Sequence, residues 1–275
     1  MMMLSERIGA LLFAQGEVPP LPIKLPLAVT PEYLLSKTDL AGGPKNPPSY
    51  QQLAFQYQLG TLLLDGKQDL TPYPRVVVPA DMPVPDSLKT AKVLLADAKL
   101  STQLAEVQPG VDGKFPKVAM DTATGSAQIF TPRSETFLLP AEVAKAAGKC
   151  VTVSGNATVA VCFAGSLDGH PLPESRRVLA LYLTDLKNTG TEIEYEPNQK
   201  VVVHNPGQLP LLVRQGTIEM SFQMKDRPLP QVWALKYDGT RGVEIKPRPT
   251  STGFSIDLQA VTNPEVFCTY ELIWN

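Results

Sequence analysis

The stretch SLDGHPLPESRRVLALYLTD, Ser166–Asp185, decides how this chain folds. Its end, Val178–Leu183, is an apolar run of strand length, and its start crowds Asp, Gly, His and two prolines into a few residues, which is turn chemistry. A second strand-like run, Thr158–Phe163, lies just upstream, so Ser166–Pro173 reads as the turn that delivers Val178–Leu183 into a sheet. The loop leaves two functions open. Asp168, Glu174 and Asp185 are candidate catalytic acids, because glycoside hydrolysis needs only two carboxyl groups held roughly 5–10 Å apart. Alternatively Glu174 and the adjacent Arg176 and Arg177 form an ion-pair lattice that fixes the loop or meets a neighbouring domain, and Asp168-Gly169 is turn chemistry alone. The second reading asks less of the sequence and is preferred, with no catalytic residue assigned.

The grammar of that stretch repeats through the C-terminal part of the chain. Short alternating segments occur at Ala127–Thr131, Thr136–Leu139, Cys150–Val153, Glu192–Glu194, Lys200–Val203, Leu209–Val213, Thr217–Phe222, Gln231–Leu235, Gly253–Leu258 and Phe267–Ile273. Turn signals at Asp112-Gly113, Asn205-Pro206-Gly207 and Asp238-Gly239 punctuate them. This pattern predicts an antiparallel β-sandwich or jelly roll over residues 111–275.

Residues 1–110 read differently, as a small α/β unit, flavodoxin-like or partial, which makes the whole chain α+β. Ile23–Val29 and Val76–Val78 are expected as buried strands. Helices are expected over Glu6–Phe13, from the turn opened by Thr30-Pro31-Glu32, over Ser49–Leu64, and from an Asp86-Ser87 cap to about Ala98. Between them AGGPKNPP, Ala41–Pro48, can only be a loop.

Composition bounds the function. With 275 residues, 43% hydrophobic and 19% charged, the chain can bury a core, and 27 prolines with 19 glycines argue against long helices. A net charge of −2 without any Lys/Arg-dominated stretch excludes the footprint of a nucleic-acid binder. No apolar run approaches the roughly 20 residues of a membrane-spanning helix, so no membrane partner is expected. The start MMMLSER lacks the pattern of a secretory signal, which makes the cytoplasm the default expectation unless a leader or upstream domain lies outside this chain.

The motifs of common chemistries are missing. Cys150, Cys162 and Cys268 are odd in number and lack CxxC spacing, and His170 and His204 fall in no metal-binding pattern, so metal and cofactor are both set at none. The nearest string to a nucleophile elbow, Ala164-Gly165-Ser166-Leu167-Asp168, lacks the second glycine. Neither GxGxxG nor a phosphate-binding GxxxxGK[ST] occurs. Asn156-Ala157-Thr158 matches a glycosylation sequon but decides nothing without a secretory route. Trp233, Trp274 and the tyrosines can form a sugar-stacking platform, yet Trp233 lies among Val232, Ala234 and Leu235, which favours a core position.

Four stretches together carry a resemblance: FTPRSETFLLP (Phe130–Pro140), VAVCFAGSLDGHPLPESRRVLALYLTDLKNTG (Val159–Gly190), QLPLLVRQGTIEM (Gln208–Met220) and VWALKYDGTR (Val232–Arg241). They resemble the C-terminal, non-catalytic region of bacterial glycoside-hydrolase-like proteins, in which a barrel is followed by β-sandwich domains. The segment Pro22–Leu100 is similar to the α/β connector of β-galactosidase-like enzymes. A (β/α)8 barrel alone takes about 250 residues, and the acids of such enzymes sit in an Asn-Glu-Pro-like context, where this chain has only Asn263-Pro264-Glu265. The resemblance therefore implies an accessory region of carbohydrate metabolism, with a catalytic barrel domain or carbohydrate as partner and a homo-oligomer left open. The alternatives are an active glycosidase and a carbohydrate-binding module.

Overall fold

The computed structural model describes residues 16–17, 23–36, 57–65, 69–97, 100, 117–121, 123–195, 201–260 and 266–274. The protein is mostly β and divides into two compact units, one formed by Pro19–Phe115 and the other by Met1–Val18 together with Pro116–Asn275. The first unit thus starts at Pro19 and not at residue 1. Glu17 illustrates why: its carboxylate accepts the hydroxyls of Thr131 and Ser134 and lies 3.4 Å from Arg133 Nε, all within the β-rich unit.

The smaller unit is built on four parallel strands, β1 (Lys24–Val29), β2 (Gln58–Leu63), β3 (Arg75–Pro79) and β4 (Lys92–Ala96), in the order β2-β1-β3-β4. β1 and β3 are central and almost wholly buried, which is why each reads as an unbroken apolar run. Pro26 has no N–H to donate, and β1 meets β3 through the single pairing Leu27↔Val77. A short helix, Pro31–Ser36, follows β1 as the Thr30-Pro31-Glu32 signal predicts.

Two expected helices are corrected. Gln58–Leu63 is a strand pairing in parallel with β1, so the helix expected over Ser49–Leu64 does not reach its own end; residues 49–56 lie outside the described residues, as does Glu6–Phe13. From Asp86 only one 3-10 turn forms, Asp86–Leu88, and Lys92–Ala96 is β4. Short apolar runs such as KVLLA fit helix and buried strand equally by periodicity, and pairing with β3 decides the matter.

The larger unit contains β5 (Lys117–Asp121), β6 (Ser126–Phe130), β7 (Ser134–Leu139), β8 (Lys145–Ala147), β9 (Val151–Ser154), β10 (Ala160–Ser166), β11 (Arg177–Thr184), β12 (Leu186–Thr189), β13 (Glu192–Tyr195), β14 (Val201–Asn205), β15 (Gln208–Val213), β16 (Thr217–Phe222), β17 (Gln231–Leu235), β18 (Arg241–Ile245), β19 (Arg248–Thr250), β20 (Gly253–Gln259) and β21 (Thr269–Ile273). An antiparallel sheet of order β18-β17-β21-β11-β10-β7-β6-β5 and a second of order β19-β20-β16-β9-β8 share one core, the arrangement of a sandwich. Alternation supplies that core: Ile218, Met220 and Phe222 from β16, Phe254, Ile256 and Leu258 from β20, facing Val178, Ala180 and Tyr182 of β11 and Tyr270 and Leu272 of β21. Phe222 stacks on Phe254 at 4.9 Å, and Trp274 meets Phe254 edge-on at 5.9 Å.

β11 is buried on both faces. Its Leu179, Leu181 and Leu183 join Phe163 and Cys268 in a second apolar cluster on the side away from the core. Each such side chain, fully buried, stabilises the fold by about 1.5–3 kcal/mol. Burial likewise pushes the Cys162 thiol up to about 12, and burial together with Glu135 pushes Cys150 up to about 11. Glu135, 2% exposed, is satisfied without any cation: Lys149 and Cys150 donate their backbone N–H groups to Oε1 and Val151 donates to Oε2, at 2.8–2.9 Å. This carboxylate closes the β8–β9 turn.

Candidate functional site

The loop that opened the sequence reading joins β10 to β11, whose register sets Ser166 opposite Val178. Gly169 takes φ +81°, a backbone conformation that side chains with a Cβ adopt at a cost. Asp168 is the organiser. Its Oδ1 accepts the Ser166 hydroxyl at 2.9 Å and the His170 N–H at 3.3 Å, and its Oδ2 accepts the Arg176 N–H at 2.6 Å. Partial burial alone would raise its pKa; the Arg176 N–H, the Ser166 and Ser175 hydroxyls and the His170 N–H outweigh it and hold the carboxyl well below the usual range.

The rest of the loop is equally tied. Leu172 inserts into the sandwich core at 1% exposure and donates its N–H to Pro132 O. Arg227 Nη1 donates to Pro173 O at 2.8 Å while its guanidinium lies 4.2 Å from the Trp274 ring. Trp274 N–H donates to Arg176 O. A segment with this many anchors has little freedom to close over a substrate.

Arg176 precedes β11 and is engaged through its backbone, whereas Arg177 is the first residue of the strand. Arg177 Nε donates to Glu271 Oε1 at 2.7 Å, and Arg241 Nε donates to the other oxygen, Oε2, at 3.0 Å. Glu271 is 5% exposed in its side chain, whereas the two arginines are half-exposed. The carboxylate expected to meet an arginine, Glu174, does not; it is exposed and has no ion pair among the described residues. Trp233 lies on the same outer face as Glu271, its ring 5.8 Å from the Arg241 guanidinium, so it is not a core residue as its apolar neighbours suggested. Trp274 is buried, and its Nε1–H donates to Pro228 O, which takes this ring out of any sugar-stacking platform.

The three candidate acids are not brought together. Asp185 follows the far end of β11, where it accepts Arg214 Nη2 at 3.1 Å and the Leu186 N–H. Eight strand residues separate it from the Asp168 loop, a span of about 25 Å. Two acids the sequence reading passed over do stand side by side: Glu219 of β16 and Asp257 of β20 are directly paired, and Arg248 bridges them, with Nη2 2.7 Å from Glu219 Oε2 and 2.8 Å from Asp257 Oδ1. The signal was the alternation in TIEMSF and GFSIDLQ, which sends both acids outward; their register was not legible. Hydrogen bonding to Arg248 lowers the Asp257 pKa, which suits an ionised clamp and not a proton donor.

Elsewhere, an open concavity over β1 and β2 is lined by Lys24, Gln58, Thr61 and Tyr73 among apolar neighbours, with no carboxylate among the described residues that line it. Among the described residues no group of three His, Cys, Asp or Glu side chains is placed to hold a metal, and no helix is long and apolar enough to cross a membrane. No family model, curated protein or solved structure matches this chain.

Proposed function

We propose that the chain is a non-catalytic accessory region of a glycoside-hydrolase-like protein, structural or carbohydrate-associated, in which a small flavodoxin-like α/β unit accompanies a β-sandwich. The parallel strand order β2-β1-β3-β4 supports the first half of that description, since it is the order of the flavodoxin-like half-sheet. The observation that carries the second half is the fate of Asp168: the best-placed acid of the loop spends both oxygens on Ser166, His170 and Arg176. With its pKa depressed it cannot hold a proton for a leaving group at neutral pH. Asp185, at the other end of β11, cannot complete a pair with it.

The partner is then a catalytic barrel domain or a carbohydrate, and the larger unit contributes a rigid surface. A panel of nitrophenyl glycosides assayed with the purified protein tests the reading. No turnover above the buffer blank is expected for any sugar. Turnover that disappears in Glu174→Gln or Asp168→Asn would install the glycosidase in its place.

A further inference from the structure

Between β11 and β16 the chain leaves the sandwich as an arm. Among the described residues β12 pairs only with β15, and β13 only with β14, giving two small two-stranded sheets between Leu186 and Val213. No described residue of these four strands is buried. A two-stranded hairpin is marginally stable in water by itself.

The outer sheet is sharply two-sided. Its register sets Ile193 opposite Val203 and Tyr195 opposite Val201, and directly opposed residues share a face. That face is therefore Ile193, Tyr195, Val201 and Val203, with exposures of 39%, 75%, 52% and 53%. The reverse face carries Glu194 opposite Val202, with Glu194 Oε2 2.8 Å from His204 Nε2, and a register shift separates Ile193 from Glu192, which pairs with Asn205. Four solvent-facing apolar side chains on one face of a two-stranded sheet are the pattern of half a sheet sandwich.

We propose that this face pairs with the same face of a second copy of the chain, giving a two-fold dimer through the tip of the arm. Three features favour a second copy as the occupant. The face is lined by three β-branched residues and a tyrosine, so two such faces can pack as stacked sheets do. Glu194, paired with Val202, lies on the reverse side and away from the contact. The area also fits: at about 100 Å² per aliphatic side chain and about 200 Å² for a tyrosine, the exposed fractions sum to roughly 300 Å² of apolar surface per copy. With interfaces about 60% apolar, two copies would bury about 1,000 Å² in total, the lower bound for a specific contact. Such a contact is a reversible dimer that depends on concentration. It goes beyond the accessory-region reading and does not depend on it.

The test is sedimentation velocity of the full chain from micromolar to near-millimolar concentration, on the native protein and on Tyr195→Glu and Val203→Glu. Both substitutions are on exposed positions, and tryptophan fluorescence verifies that the sandwich, which holds both tryptophans, is unaltered. The expected result is a monomer–dimer equilibrium weakened at least ~30-fold by either substitution, as for a central contact residue, and left intact by Glu194→Gln on the reverse face. A single monomeric species at every concentration would overturn the proposal and assign the face to a different partner. A dimer indifferent to Tyr195→Glu and Val203→Glu would overturn it equally.

Discussion

Removing Arg177 and Arg241 one at a time and then together tests how the sandwich tolerates a buried charge. Glu271 is 5% exposed, and each of its oxygens faces one of the two guanidinium groups. In Arg177→Ala the carboxylate keeps Arg241, so the loss is one half-exposed charge-assisted bond, about 1 kcal/mol. Arg241→Ala should cost a similar amount for the same reason. The double variant leaves a buried carboxylate with no cation, a state that costs about 3–5 kcal/mol. The coupling between the two sites is therefore about 1–3 kcal/mol beyond additivity. Because both tryptophans, Trp233 and Trp274, belong to the sandwich, urea melts followed by tryptophan fluorescence report this unit alone. In a unit of this size each kcal/mol moves the thermal midpoint by about 2–4 °C. Strictly additive losses would refute the argument, since they would mean that Glu271 is hydrated or neutral and does not depend on either arginine. Arg176→Ala serves as control: only its backbone is engaged in the loop, and it should melt like the native protein.

Two further outcomes follow from single side chains. Asp168→Asn replaces a carboxylate that accepts from Ser166, His170 and Arg176 by a group with one acceptor oxygen and should cost about 2–4 kcal/mol at neutral pH. Since the folded pKa of Asp168 is lowered, its contribution is complete above the ordinary Asp value of about 3.9 and is lost as pH falls through the folded value; urea midpoints of the native protein and the variant should converge only in acid, and a gap that stays constant down to pH ~2 would contradict the assignment. Gly148→Ala would put a Cβ into the Glu135 carboxylate, with Cδ only 2.7 Å away, and that carboxylate is pinned by three backbone N–H groups. A thermal melt should show a loss of about 2–3 kcal/mol, and an unchanged midpoint would mean that Glu135 can swing aside.

What was legible in the sequence was whatever depends on neighbours along the chain. Alternation in Thr217–Phe222 and Gly253–Gln259 marks strands with one core face, and the Asp-Gly turn between β10 and β11 marks their connection. In the parallel unit the same method mistook Gln58–Leu63 and Lys92–Ala96 for helix, because short apolar runs at the sheet edges carry no periodicity that separates strand from helix and only the partner strand identifies them. The site failed in a related way. TYELI, Thr269–Ile273, places Glu271 between two core residues, Tyr270 and Leu272, and so on the opposite face, from sequence alone. A carboxylate there needs cations, and the nearest suitable ones by contact, Arg177 and Arg241, are 94 and 30 residues away. They reach it because β11 and β17 flank β21 and β18 lies one strand further out, an order that no local pattern encodes. Glu174 looked like the partner of the arginines only because it is near them in the chain; once β11 begins at Arg177, Glu174 is still in the loop, and the strand's first side chain turns to the sheet's outer face instead.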